Sequence, residues 1–150
     1  MNTHDASDPK ARGERRVFNV RRRREFDDVE QRIAEALGRC GFEADARFAI
    51  LTALEEALSN AYVHGNGNDP GKSLTVEYTA DADAVAIVVQ DEGRGFDPGA
   101  VPDPTRPENV DIPSGRGIML MRAYMTEVEF DPPGNRVRMV FRKGTEGLRD

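Results

Sequence analysis

Glu56 and Asn60 stand four residues apart inside a long helical pattern, so a helix carries both side chains on one face, about one turn from each other. A carboxylate placed there can take a proton from a hydroxyl or a water, and an amide oxygen is a hard, neutral ligand that suits Mg²⁺. Taken alone, the pair fits equally a surface glutamate with an asparagine near a helix end. Glu55 lies roughly 100° around the same helix and is expected to face solvent. His64 continues the same side one turn further, directly before Gly65, where it either complements the helix dipole or meets the same ligand.

Asp91 closes an apolar strand pattern. Val85, Ile87 and Val89 share one face, and continuing the alternation puts Asp91 on the same side. A carboxylate there is costly to bury unless something donates hydrogen bonds to it, and an adenine amino group is a suitable donor. Gly93 and Gly95 remove side chains just beyond it, which lets a planar ring lie against the backbone; an ordinary strand-end turn is the plainer alternative. Gly115, Arg116 and Gly117 open a second helical pattern that continues through Ile118 and Met119. A helix start exposes unpaired N–H groups and partial positive charge, and flanking glycines give phosphate oxygens access to them. The arrangement is neither the lysine-bearing phosphate loop of common NTPases nor a strand followed by GxGxxG. Together the three motifs supply a base with a metal ligand, a carboxylate for an exocyclic amine and a phosphate cradle, which is the equipment for one nucleoside triphosphate.

Such motifs need a frame. Residues 15–20 read as a strand, with Val17, Phe18 and Val20 its apolar members. Phe26, Val29, Ile33, Ala36 and Leu37 recur at helical spacing, and Gly38 and Gly41 punctuate the end. A helix over residues 44–63 follows, with Ile50, Leu54, Ala57, Leu58 and Ala61 as its core stripe, closed by a Gly- and Asn-rich turn. Strands over 73–79 and 84–90, joined by Asp81-Ala82-Asp83, form an antiparallel hairpin. Helical spacing resumes with Ile118, Leu120, Met121 and Tyr124, and strands over 126–130 and 136–141 flank the turn Asp131-Pro132-Pro133-Gly134. Residues 96–114 hold five of the nine prolines and no apolar period, so they read as a lid-like loop.

The 150 residues fit one domain, over 15–143, with polar tails at 1–14 and 144–150. No apolar run approaches the roughly 18 residues that span a bilayer, so no membrane association is expected. The start lacks the order of a secretion signal, and a cytoplasmic location is expected. Cys40 is the single cysteine, which excludes an intrachain disulfide and reads as a buried, idle thiol. The net charge of −6 divides unevenly: residues 1–24 carry +5 and residues 25–150 carry −11. An acidic body repels phosphate backbones, so direct nucleic-acid binding is not expected. The basic run at 21–24 reads as a solvated strand end rather than a partner patch.

The stretches Glu55-Glu56-Ala57-Leu58-Ser59-Asn60-Ala61-Tyr62-Val63-His64-Gly65, Asp91-Glu92-Gly93-Arg94-Gly95-Phe96-Asp97-Pro98 and Gly115-Arg116-Gly117-Ile118-Met119-Leu120-Met121 resemble the ATPase superfamily of gyrase, heat-shock chaperones, histidine kinases and mismatch-repair ATPases. Within it, the chain looks like a bacterial anti-sigma factor of the serine-protein kinase type. The resemblance covers roughly residues 15–143 and implies an α/β two-layer sandwich, a mixed, largely antiparallel sheet with helices on one face, holding ATP and Mg²⁺. By position it makes Glu56 the general base, Asn60 the metal ligand and Asp91 the partner of the adenine amine. Gly93 and Gly95 would shape the base pocket, His64 would contact the nucleotide, and Gly115, Arg116, Gly117, Ile118 and Met119 would meet the phosphates. The family often has Gly-Thr before the last strand, the threonine assisting adenine recognition; here the pair is Gly134-Asn135. The implied activity is that of an ATP-dependent protein serine/threonine kinase in transcription regulation and stress response. Its acceptor would be an anti-anti-sigma protein and its captive a sigma factor, with the chain acting as a homodimer. A non-catalytic module that holds a nucleotide or a partner is the alternative.

Overall fold

The structure, a computed structural model, describes residues 13–95, 115–132 and 134–144. The expected lid at 96–114 lies outside these residues, as do most of the expected tails. Five strands form one sheet: β1 (Glu14–Val20), β2 (Leu74–Ala80), β3 (Ala84–Gln90), β4 (Glu127–Asp131) and β5 (Arg136–Arg142), in the order β1-β2-β3-β5-β4. Every described pairing is antiparallel. Helices α1 (Phe26–Arg39), α2 (Ala44–Ser59) and α3 (Gly115–Tyr124) complete the α/β sandwich.

Period-two alternation decides which face of the sheet is covered. Leu74, Val76, Tyr78 and Ala80 of β2, Val85, Ile87 and Val89 of β3, and Val137, Met139 and Phe141 of β5 are buried in one core with the helices. The opposite face carries a row formed by Val17, Glu77, Val88, Arg138 and Glu129 across the strands, with Arg138 near Glu127 and Glu129. Water serves that face, and its ion pairs add little to stability.

Helix α1 buries Phe26, Val29, Ile33, Ala36 and Leu37, the stripe that the spacing predicts. The Glu25 carboxylate before it accepts the N–H groups of Arg21 at 2.7 Å and Arg22 at 2.8 Å, satisfying donors that would otherwise be orphaned. It ends at Gly41, whose φ of 84° lets the Phe42 N–H turn back to the Leu37 carbonyl at 2.9 Å. Helix α2 lies between α1 and α3 and buries Ile50, Ala53, Leu54, Ala57 and Leu58. Its small alanines allow close approach on both sides. Cutting Leu58 back to alanine would cost about 2–5 kcal/mol, since its side chain is fully enclosed.

Two local expectations are corrected. The helix does not run regularly to residue 63: after Ser59 it widens into a π-helical turn, Asn60–Gly65, closed by the Asn66 N–H on the Ala61 carbonyl at 2.8 Å, five residues back. Glu55 does not face open solvent either. It is half-buried and meets Glu30 of α1, whose pKa is pushed up to about 8, first by burial and then by the Glu55 carboxylate. In α3, Ile118 and Met121 are buried while Leu120 turns outward. Cys40 is fully buried, and burial raises its thiol pKa. Among the described residues no helix is long and apolar enough to cross a membrane.

Candidate functional site

The π-helical turn, the turn that follows β3 and the β4–β5 hairpin enclose a cleft of about 400 Å³, within the size range of small-molecule sites. Asn60, His64, Asp91, Gly93, Gly95 and Asn135 all line it. The helical motif and the strand-end motif, distant in sequence, therefore share one wall. Asn60 Nδ2 and His64 Nδ1 are buried without a hydrogen-bond partner among the described residues. Leaving a buried polar atom unpaired costs about 1–3 kcal/mol, so two such atoms in one cleft wall point to a ligand that supplies the missing partners.

The third motif arrives from the other side. A Cβ on Gly117 would stand 3.0 Å from Glu56 Oε1 and 3.2 Å from Asn60 Nδ2, tighter than an ordinary contact, so the glycine lets the start of α3 lie directly on that pair without displacing it. Gly117 is buried, Arg116 is exposed, Ile118 goes into the core and Met119 is 68% exposed. Gly115 opens the helix. Of these five residues, Gly117 is the one that abuts the Glu56–Asn60 pair.

Asp91 continues the β3 alternation into the cleft. Its carboxylate presses on the α-carbon of Gly65, where any Cβ would overlap it, and a Cβ on Gly93 would overlap the Gly65 carbonyl. The Gly93 N–H donates to Asp91 Oδ1 at 2.6 Å, leaving the second oxygen for another donor. Burial holds the Asp91 carboxyl above its ordinary value, offset in part by the Gly93 N–H and the charge of Lys72.

Two asparagines fasten this turn. The Asn135 side-chain amide donates to the carbonyls of Asp91 at 3.3 Å and Gly93 at 3.4 Å, and the main-chain carbonyl of Asn135 accepts the Asp91 N–H at 2.9 Å. Asn66, which the sequence reading treats as a plain turn residue, is 3% exposed and bonded through both ends of its amide. The signal available for it was slight: an amide directly after a glycine at a helix end.

The sequence signature of the histidine kinase-like ATPase domain matches residues 22–141, a span that contains all three motifs. The chain belongs to the histidine kinase-like ATPase family. Among its relatives, an anti-sigma F factor from Geobacillus stearothermophilus is 33% identical over 103 residues, covering 63% of this chain and 66% of that protein. An anti-sigma F factor from Clostridium beijerinckii is 30% identical over 97 residues, covering 63% of this chain and 68% of that protein. The match thus spans just under two thirds of the length of the Geobacillus relative.

For a histidine kinase-like ATPase domain, nucleotide binding is the general expectation, and the cleft has the chemistry for it. Asn60, Asp91 and Gly93 line it, and Glu56 lies next to Asn60 at the start of α3. Among the described residues no cluster of three or more His, Cys, Asp or Glu side chains forms a metal cage. The unpartnered Asn60 Nδ2 is a donor and fits an acceptor such as a phosphate oxygen, while the amide's Oδ1 is the atom that could hold a cation such as Mg²⁺, which takes few protein ligands.

Proposed function

We propose that this chain binds ATP with Mg²⁺ and acts as an anti-sigma factor and protein serine/threonine kinase, phosphorylating an anti-anti-sigma protein and sequestering a sigma factor. The observation that carries the reading is the meeting of Glu56, Asn60 and Gly117 beside a cleft that Asn60 and Asp91 both line. Similarity to proteins named anti-sigma F factor supports the partner classes.

In this reading Asp91 accepts a hydrogen bond from the adenine amine through the carboxylate oxygen that Gly93 leaves free. N–H groups at the start of α3 face the phosphates. Mg²⁺ on Asn60 supplies neutralisation of phosphate charge when bound. Glu56 receives the proton of the acceptor hydroxyl as its oxygen bonds to the γ-phosphorus; the bond from that phosphorus to the β–γ bridging oxygen breaks, and ADP leaves with that electron pair. Positioning and charge compensation carry most of such a reaction.

Incubation of the protein with γ-labelled ATP, Mg²⁺ and proteins captured from its native host tests this. Transfer of label to a serine or threonine of a captured protein is the expected result. Tight ATP binding with no transfer to any partner would leave the non-catalytic module in its place. An absence of heat in calorimetry with ATP and Mg²⁺ at millimolar concentration would end the nucleotide reading itself.

A further inference from the structure

Asn66 is the only buried polar residue among the described side chains, and neither a base, a metal nor a phosphate is assigned to it. Its Oδ1 accepts the Glu92 N–H at 2.8 Å, and its Nδ2 donates to the Ser73 carbonyl at 3.0 Å. Glu92 returns to the same place, its carboxylate accepting the Ser73 N–H at 2.6 Å and hydroxyl at 3.0 Å. The π-helical turn, the entry to β2 and the exit from β3 are thereby tied in one closed circuit.

The sequence neighbours of the bonded atoms give this circuit its meaning. Gly65 precedes Asn66, and Asp91 and Gly93 flank Glu92. Those three are the residues in contact at the cleft wall, Gly65 against the Asp91 carboxylate and Gly93 against the Gly65 carbonyl. The bond from Glu92 N–H to Asn66 therefore sets how closely the π-helical turn approaches the carboxylate. A buried amide satisfied at both ends holds such a distance more firmly than apolar contact, because slippage leaves donor and acceptor unpaired.

We infer that Asn66 is a positioning residue for base recognition: through Glu92 and Ser73 it holds Asp91 where its free oxygen can single out a purine bearing a 6-amino group. This rests on the assignment of Asp91 to that amine. Inosine triphosphate, which carries a carbonyl at that position on the same ribose and triphosphate, separates the two ideas.

Titration of the full chain with ATP and with inosine triphosphate, each with Mg²⁺, gives a ratio of affinities. Wild type is expected to favour ATP by at least about tenfold, the worth of one charge-assisted hydrogen bond. Asn66→Ala is expected to reduce the ratio below about threefold while its affinity for inosine triphosphate stays within about threefold of wild type. Equal loss of affinity for both nucleotides, or an unchanged ratio, overturns the positioning role. A wild-type ratio near one overturns the Asp91 assignment instead. Should Asn66→Ala lack a native circular dichroism spectrum, the near-isosteric Asn66→Leu carries the test, since it removes both bonds of the amide and keeps its volume. A fall in its ratio below about threefold supports the role, and an unchanged ratio overturns it.

Discussion

Gly117 lies against Glu56 so closely that one added methyl group would come within 3.0 Å of the Glu56 Oε1. The start of α3 thus lies directly on the side chains of Glu56 and Asn60. Gly117→Ala removes that fit while favouring the helix itself, since alanine has the better helix propensity by about 1 kcal/mol. The variant is expected to melt within about 3 °C of wild type and to bind ATP about tenfold more weakly, with adenosine affinity unchanged. Calorimetry with ATP and with adenosine checks this; equal weakening of both would place the effect away from the phosphates.

The partly buried Asp91 carboxyl is expected to lower the stability of the apo protein at neutral pH. A carboxyl with a raised folded pKa holds its proton more tightly in the folded chain. The stability linked to it is full below the ordinary aspartate value and is lost as pH rises through the folded value. Asp91→Asn escapes that loss and keeps an acceptor for the Gly93 N–H. At neutral pH the variant is expected to melt no lower than wild type, the two curves converging on acidification, while ATP affinity falls by about a hundredfold. Melting temperatures across pH, paired with ATP titration, test both halves; a clear drop in melting temperature at neutral pH would contradict the first.

The Glu30–Glu55 contact between α1 and α2 predicts a second pH effect, away from the cleft. Burial comes first in pushing the Glu30 pKa to about 8, followed by the Glu55 carboxylate and then Asp27. Stability linked to its proton is complete below the ordinary glutamate value and drains as pH rises towards and through about 8. Glu30→Gln keeps a donor for Glu55 without a titrating proton. Water reaches part of this pair and screens it, so a gain in melting temperature of about 2–4 °C is expected above that pH, with little difference in acid.

In the proposed reaction Glu56 receives a proton and takes no part in holding the base. Glu56→Ala is expected to lower phosphoryl transfer by about 10²–10⁴-fold and to leave ATP affinity within about threefold. Single-turnover transfer and calorimetry on the same preparation decide it. Loss of binding in step with transfer would make Glu56 a binding residue.

Much of the frame is legible in the sequence because its signals are local and periodic. Phe26 to Leu37 and Ile50 to Leu58 repeat at helical spacing and are buried as that spacing demands. Asp91 could be placed by counting two residues past Val89, since the alternation carries on one residue beyond the end of β3 at Gln90. What escaped depends on contacts between segments distant in the chain. The facing of Glu55 towards Glu30 needs the packing of α1 on α2, and the buried amide of Asn66 needs the meeting of two turns. Asn135 is recognisable as a hydrogen-bonding residue, yet only the sheet register brings its amide to the carbonyls of Asp91 and Gly93.

The irregular turn at Asn60–Gly65 sets a limit on engineering. A protein engineer seeking a hardier molecule would be tempted to delete one residue there and restore an ordinary α-helical period. Each residue removed rotates everything downstream by about 100°, which would carry Gly65 away from the carboxylate it now abuts. The repaired helix would be the better helix and the poorer receptor, an instance of robustness gained at the expense of selectivity.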